Sequence, residues 1–555
     1  MLPDQRSVKK ESGRYFANVR FEKVFSAASH ARSLVNNRRQ GGRSLILPRM
    51  SASTSRRVAK NSVFYFFSLA IPAAAALFFV PITVRSLGAS RFGLLGLAWA
   101  IAEGTGIFDF GLGRATVRFV ADATVRSRDR VQEIVFASVF TQTAMGALAG
   151  LLLFTAAPVL ATRVFHLDGA QIPEAITMFH VLSLHLPVLL GIAALRASLE
   201  GAQRFDISTS LRIPSSLASV IVPALAAAAG KSLGTIMWIL LAVRISLFVI
   251  TAIAVRRTLL AGGWRLPSDL QTLREMLRYS GWVAVSMALG PILGSFDRFV
   301  VGSVLTVTAL GYYYGAAEAS NRFLLVPVTA FTAILPALAA TEASAGRDRS
   351  LAVTRAARRQ LAVVLFPLCL TLFWFGPAAL SIWLGPAFAA QAGAALRVLS
   401  VGVFCTGLAV LPLALLYGSN RPDLPAKINL FQAALHVPVT ILSVRTWGIT
   451  GAALAVALRA AEDLVFYEWA RRRALGTYPP DTAETVRGRS LIALGAAISA
   501  SFAFAAWLRS TSASAALLVI GLAGALYLWW AWRSVLAPAE RSAWLGMFTR
   551  ARAAA

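Results

Sequence analysis

The stretch NSVFYFFSLAIPAAAALFFVPITVRSLGASRFGLLGLAWAIAEGTGIFDFGLGRATVRFVAD, Asn61 to Asp122, decides the fold class. It holds two continuous apolar runs separated by a short polar joint between Arg85 and Arg91. A helix needs roughly 20 apolar residues to cross the hydrocarbon core of a bilayer, and lipid offers unpaired backbone groups no partner. Each run must therefore be a helix or part of a closed barrel, and the lack of two-residue alternation excludes the barrel. The same pattern recurs as far as Ala537 and gives about 14 runs. The chain reads as an all-α polytopic membrane protein.

Working outward from that stretch, the spans fall at 62–84, 92–113, 134–162, 172–200, 211–229, 233–255, 279–303, 310–336, 361–385, 393–417, 427–446, 448–468, 490–508 and 513–536. The domain plan is a basic, disordered N-terminal segment (1–57), a first lobe (58–260), a second lobe (261–476), and two further helices with a basic tail (477–555). Met50 opens an ordinary short basic lead into the first helix. An over-long gene start or a transit peptide accounts for the residues before it. Hydrophobic residues make up 57% of the chain and charged ones 14%, too few for the polar shell of a soluble protein of this size. The net charge of +29 would suggest nucleic acid in a soluble chain. Here it concentrates in alternate joints. Arg114, Arg118, Arg126, Arg128 and Arg130 crowd one joint, and Arg471, Arg472, Arg473, Arg487 and Arg489 another, while the intervening joints hold little beyond Arg91 or Lys231. By the positive-inside rule both termini are cytoplasmic, as an even number of spans requires. No nucleic-acid partner is implied. The two cysteines, Cys369 and Cys405, lie in apolar runs, and neither they nor the five histidines form a metal-ligand spacing, so no metal or cofactor is expected.

An internal echo suggests a repeat. LGASRFGLLGLAWAIAE (Leu87–Glu103) aligns with LTVTALGYYYGAAEASN (Leu305–Asn321), which sets Gly93 on Gly311. Both segments open the second helix of a six-helix lobe and run in the same direction. A parallel repeat of this kind turns about an axis along the membrane normal and places a cavity between its lobes. The fold class is thus two pseudo-symmetric six-helix lobes plus two C-terminal helices.

GASRFGLLGLAWAIAEGTGIFDFGLGRATVRFVAD (Gly88–Asp122) resembles the second-helix region of Wzx-like polysaccharide-biosynthesis flippases, of the multidrug/oligosaccharidyl-lipid/polysaccharide exporter superfamily. FDRFVVGSVLTVTALGYYYGAAEASNRFLLVPVTAFTAILPALAATEA (Phe296–Ala343) is similar to the second-lobe signature of that family. The resemblance covers about residues 60 to 470 and implies a transporter that turns polyprenyl-pyrophosphate-linked oligosaccharide across the bacterial inner membrane. It implies membrane lipids and a polysaccharide polymerase with its assembly proteins as partners. Lipid II flippases and drug or cation antiporters share the architecture and remain alternatives. A membrane glycosyltransferase or polymerase, the alternative from another class, needs a long joint carrying catalytic groups, and no joint here is long enough.

Charges inside spans are costly and mark cavities or partners. Glu103, Arg244, Glu318, Arg322 and Arg459 fall nearest the midplane, with Asp297 and Arg298 toward the external side. A diphosphate cargo calls for the forked, permanently charged donors of arginine, which makes Arg244, Arg298, Arg322 and Arg459 the candidate headgroup contacts. Glu103, Asp297 and Glu318 are the candidates for coupling to protons or sodium. Glu318 with Arg322, Arg196 with Glu200 and Arg459 with Asp463 are i,i+4 neighbours that can equally neutralise one another. Arg244 has no acid nearby on its own helix. His180 and His185 are expected in the core or at the cavity wall, Tyr312–Tyr314 in an external aromatic belt, and the span prolines at kinks.

Overall fold

The computed structural model describes residues 52–126, 128–260, 274–276, 293–419, 421–477, 482–508, 512–536 and 541. The described residues are helical almost throughout. Helix α1 runs Ala52–Gly104, α2 Leu112–Arg126, α3 Arg128–Val159, α4 Ile172–Gly201, α5 Phe205–Ala228 and α6 Leu233–Leu259. Helix α7 covers 293–304, α8 Val307–Asn321, α9 Leu325–Ala345, α10 Arg347–Leu384, α11 Pro386–Gly418, α12 Asp423–Leu475, α13 Thr482–Leu508 and α14 Ala513–Trp530. Among the described residues, nine helices are long and apolar enough to cross a membrane. Two of these, within α1 and α12, belong to helices of 53 residues. At 1.5 Å per residue each would reach about 80 Å, far beyond a hydrocarbon core of about 30 Å.

Each of these two helices folds back at a single glycine. Gly88 (φ 72°, ψ 170°) breaks α1 and Gly448 (φ 58°, ψ −138°) breaks α12. Positive φ suits glycine because it has no Cβ to clash with the neighbouring carbonyl. The joints placed by sequence at 85–91 and near 447 are therefore one-residue reversals rather than loops. The prolines inside α1 and α12, among them Pro72, Pro81 and Pro438, keep helical backbone angles, so glycine rather than proline makes the sharpest breaks. Most of the seventh span, 279–292, lies outside the described residues.

The helices pack mainly in two groups. In the first, α4 lies against α2, α3 and α6, with α5 on α6; in the second, α11 lies against α8, α9, α10 and α12. The C-terminal pair α13 and α14 packs on the outer side of α10, where Phe502 meets Phe375 and the Tyr527 hydroxyl donates to the Val363 carbonyl at 2.9 Å. The outward face is apolar, as lipid contact requires: Phe78 is 73% exposed and Ile382 82%.

Helix α1 joins the first group through Arg91, which donates to Glu174 of α4 at 2.9 Å, and it meets α8 of the second group at the aligned glycines. A Cβ added to Gly93 would overlap the Val307 carbonyl oxygen, and one added to Gly311 would overlap the Ala89 carbonyl oxygen. Each glycine thus faces the carbonyl four residues upstream of the other. Three residues further along, Gly96 makes room for the ring of Tyr314. Reciprocal contacts in one register are what two-fold-related helices make where they cross on their axis, and small residues are what let membrane helices approach this closely.

Two of the joints carry a second repeated feature. Gly-Ala-Gln-Arg-Phe-Asp (201–206) and Gly-Ser-Asn-Arg-Pro-Asp (418–423) join α4 to α5 and α11 to α12. Arg204 holds Asp206 in a fork at 3.1 and 3.1 Å, and Arg421 holds Asp423 at 3.0 and 3.2 Å. In both, the aspartate stands in the first turn of the following helix, where its charge suits the helix dipole.

Substituting Gly93→Ala or Gly311→Ala should lower stability by about 1–3 kcal/mol, since backbone cannot move aside as a flexible side chain can. Gly521→Ala in α14, which meets nothing within 4 Å, should be neutral or slightly stabilising. Thermal denaturation in detergent, followed by size-exclusion fluorescence, checks the contrast.

Candidate functional site

A cavity of about 300 Å³ opens beside the glycine crossing. Trp99 and Glu103 of α1, Ser219 and Val220 of α5, Arg244 of α6, and Tyr314 and Glu318 of α8 are among its lining residues. The first helix group supplies most of the wall, and α8 of the second group closes it. Three of the seven residues singled out by charge, Arg244, Glu103 and Glu318, come together here.

Arg244 is nearly buried, with 8% of its surface exposed. Its Nη1 donates to Nδ1 of His185 at 2.6 Å, across from α4, and Nε2 of His185 lies 3.0 Å from the Met237 carbonyl oxygen. A guanidinium has no acceptor, so Nδ1 must be the bare nitrogen and Nε2 must carry the proton. Arg244 therefore both pairs across helices and lines the cavity.

The other candidates sit in ion pairs. Arg298 of α7 donates from Nη1 to Glu103 at 3.0 Å and lies 5.1 Å above the centroid of the Tyr314 ring, a cation–π placement. Its side chain is 9% exposed while that of Glu103 is 62% exposed, so the acid faces the open cavity and the base stands behind it. Asp297 is buried and accepts from the Tyr313 hydroxyl. Glu318 and Arg322 pair along one turn, as their spacing suggests. Arg196 and Glu200 are 4.0 Å apart.

Arg459 lies apart from the cavity lining. It stands in α12 near His436, Glu462 and Asp463, and Asp463 in turn lies beside Gln432 and Tyr467. No group of three or more His, Cys, Asp or Glu side chains among the described residues is placed to hold a metal ion.

Two expectations change in the structure. Tyr313 and Tyr314 are 0% and 5% exposed, at the helix seam rather than in an interfacial belt. The space left by Gly96 takes the ring of Tyr314, and Tyr313 turns to Asp297; three consecutive tyrosines gave no hint of either partner. The cavity wall is also mixed in sign. It presents one guanidinium and two carboxylates, each of the latter tied to an arginine that is not part of the lining.

Comparison with known proteins places this geometry. The family model described as polysaccharide biosynthesis protein matches residues 82–392, more than half of the chain. A protein of Shigella flexneri named "Putative O-antigen transporter" is 24% identical over 427 residues, covering 76% of this chain and 99% of that protein. Among solved structures, the lipid II flippase MurJ in an inward closed conformation superposes with a TM-score of 0.67 at 12% identity, over 85% of this chain and 98% of that one. An inward-facing multidrug resistance MATE transporter of the MOP superfamily gives 0.62 at 15% identity, over 72% and 94%. At these identities the structures speak for the fold alone. The relatives are transporters and flippases, not enzymes.

The cross-group pair has a measurable weight. A double-mutant cycle of Glu103→Gln and Arg298→Gln, read by thermal or denaturant unfolding, should return a coupling energy of about 1 kcal/mol, below that of a fully buried pair because Glu103 is largely exposed.

Proposed function

Because the chain belongs to the polysaccharide biosynthesis protein family, we propose that it flips polyprenyl-pyrophosphate-linked oligosaccharide across the bacterial cytoplasmic membrane by alternating access, for exopolysaccharide, capsule or O-antigen assembly. The observation that carries this reading is Arg244, a permanently charged fork at the wall of a cavity that both helix groups enclose. Phosphate oxygens match that fork in geometry and charge. In this reading residues 58–260 and 261–476 are the two lobes, both termini are cytoplasmic, and a polysaccharide polymerase and its assembly proteins receive the product.

The cargo diphosphate meets Arg244 first. Arg298 and Arg322 are each tied to a carboxylate of the wall. A proton or sodium ion that neutralised Glu103 or Glu318 would release the arginine paired with it to the cargo, and this is the coupling role assigned to those acids. Asp297, bonded to Tyr313 and next to Arg298 in the chain, is the third carboxylate able to take part. Arg459 would reach cargo only after the second lobe rearranged.

The two carboxylates on the wall also favour a second reading, export of a cationic molecule as in a drug or cation antiporter; a lipid II flippase fits the same arginine. Growth assays separate these. Deleting the gene should accumulate polyprenyl-linked glycan on the cytoplasmic leaflet. Increased sensitivity to cationic drugs without that glycan would favour the antiporter, and accumulated lipid II the third reading. Arg244→Ala, at normal expression, should lower glycan export at least about tenfold, the worth of about 1.4 kcal/mol of lost headgroup binding. Unimpaired export would remove Arg244 from the site.

A further inference from the structure

We infer that His185 is the positioning residue for Arg244, holding the guanidinium at the cavity wall through a neutral acceptor so that its full charge remains for an anionic cargo group. The three cavity-side arginines differ in their partners. Arg298 is held by Glu103 and Arg322 by Glu318, so each spends its charge on a carboxylate. Arg244 makes no ion pair among the described residues; its partner is an uncharged imidazole nitrogen at 2.6 Å. His185 is fully buried, and its other nitrogen is tied to the Met237 carbonyl of α6, the helix that also carries Arg244. The ring therefore cannot rotate without losing both bonds. One N–H of the guanidinium is used in this way, and the remaining donors of the fork stay available on the cavity side.

The alternative is a packing role, in which His185 merely fastens α4 to α6. Asparagine and aspartate separate the two. Both place an oxygen close to the position of Nδ1 and both lack the reach of Nε2; they share a shape and differ in charge and in the amide donors that only asparagine carries. A carboxylate at 185 would hold Arg244 more tightly, because a bond between opposite charges is stronger than one from a cation to a neutral acceptor, yet it would cancel the charge.

The inference rests on the diphosphate reading of the cavity, and its test is chosen so that the two can fail separately. The full-length protein in lipid nanodiscs is titrated with a polyprenyl diphosphate by calorimetry. His185→Asn should bind within about threefold of the wild type, and His185→Asp at least about tenfold more weakly, while His185→Asp unfolds at the same temperature as His185→Asn or a higher one. Equal binding by the two variants overturns the inference. Histidine-labelled protein is then read by nitrogen NMR, with His185 assigned from its variants. Its ring should carry the proton on Nε2 alone, held there by the Met237 carbonyl, and in Arg244→Met the bare Nδ1 signal should shift toward that of an imidazole nitrogen with no hydrogen bond. A proton on Nδ1 in the wild type overturns the inference whatever the cargo. Failure of the wild type to bind diphosphate, with the NMR pattern intact, sinks the cargo reading and leaves the positioning of Arg244 standing.

Discussion

The approach of α1 to α8 at Gly93 and Gly311 is the constraint on which the site depends. In lipid there is no hydrophobic drive to bring helices together, so association relies on close packing and polar contacts. Two backbones that meet without side chains between them gain that packing. The gap beside Gly96 then receives Tyr314, whose ring lies under Arg298. Tyr313 on the same helix holds Asp297, the neighbour of Arg298. Arg298, so placed, reaches across to Glu103. The wall of the cavity is thus set by a sequence of contacts that starts from two missing side chains.

Charge in this interior is distributed with restraint. A guanidinium removed from water loses much of its hydration, and a carboxylate partner is the usual compensation. Two of the three arginines near the cavity take it. The third takes an imidazole, which offers a good acceptor but little charge. Arg298 and Arg322 each spend their charge on a carboxylate, and Arg244 alone of the three has a neutral partner.

The spans were legible because an apolar run long enough to cross a bilayer has few other readings, and α3, α4, α6, α10 and α11 fall where the runs do. The pairing of Gly93 with Gly311 was legible as an alignment, although nothing in it said that the two residues touch. Arg244 was legible as a charge without an acid on its own helix. Its partner was not, since His185 lies 59 positions away on a helix whose facing side no periodicity defines. Glu103 and Arg298, 195 positions apart, were singled out separately, and their meeting needed the crossing geometry. The inward turn of Tyr314 was hidden for the same reason: its cause lies in what another helix lacks. The twin Arg-x-Asp joints are plain in the sequence, but each pairs one charge with its opposite and so adds nothing to the charge alternation of the joints.

The reversals at Gly88 and Gly448 bear on how this molecule can be tagged. A one-residue turn has no slack, so an epitope or fluorescent reporter spliced there must unwind the ends of two spans. Such fusions would report on damage rather than sidedness. The segment between Phe165 and Gln171, which already departs from helix and turns through His166 at φ 45°, is the better insertion point on that side of the protein.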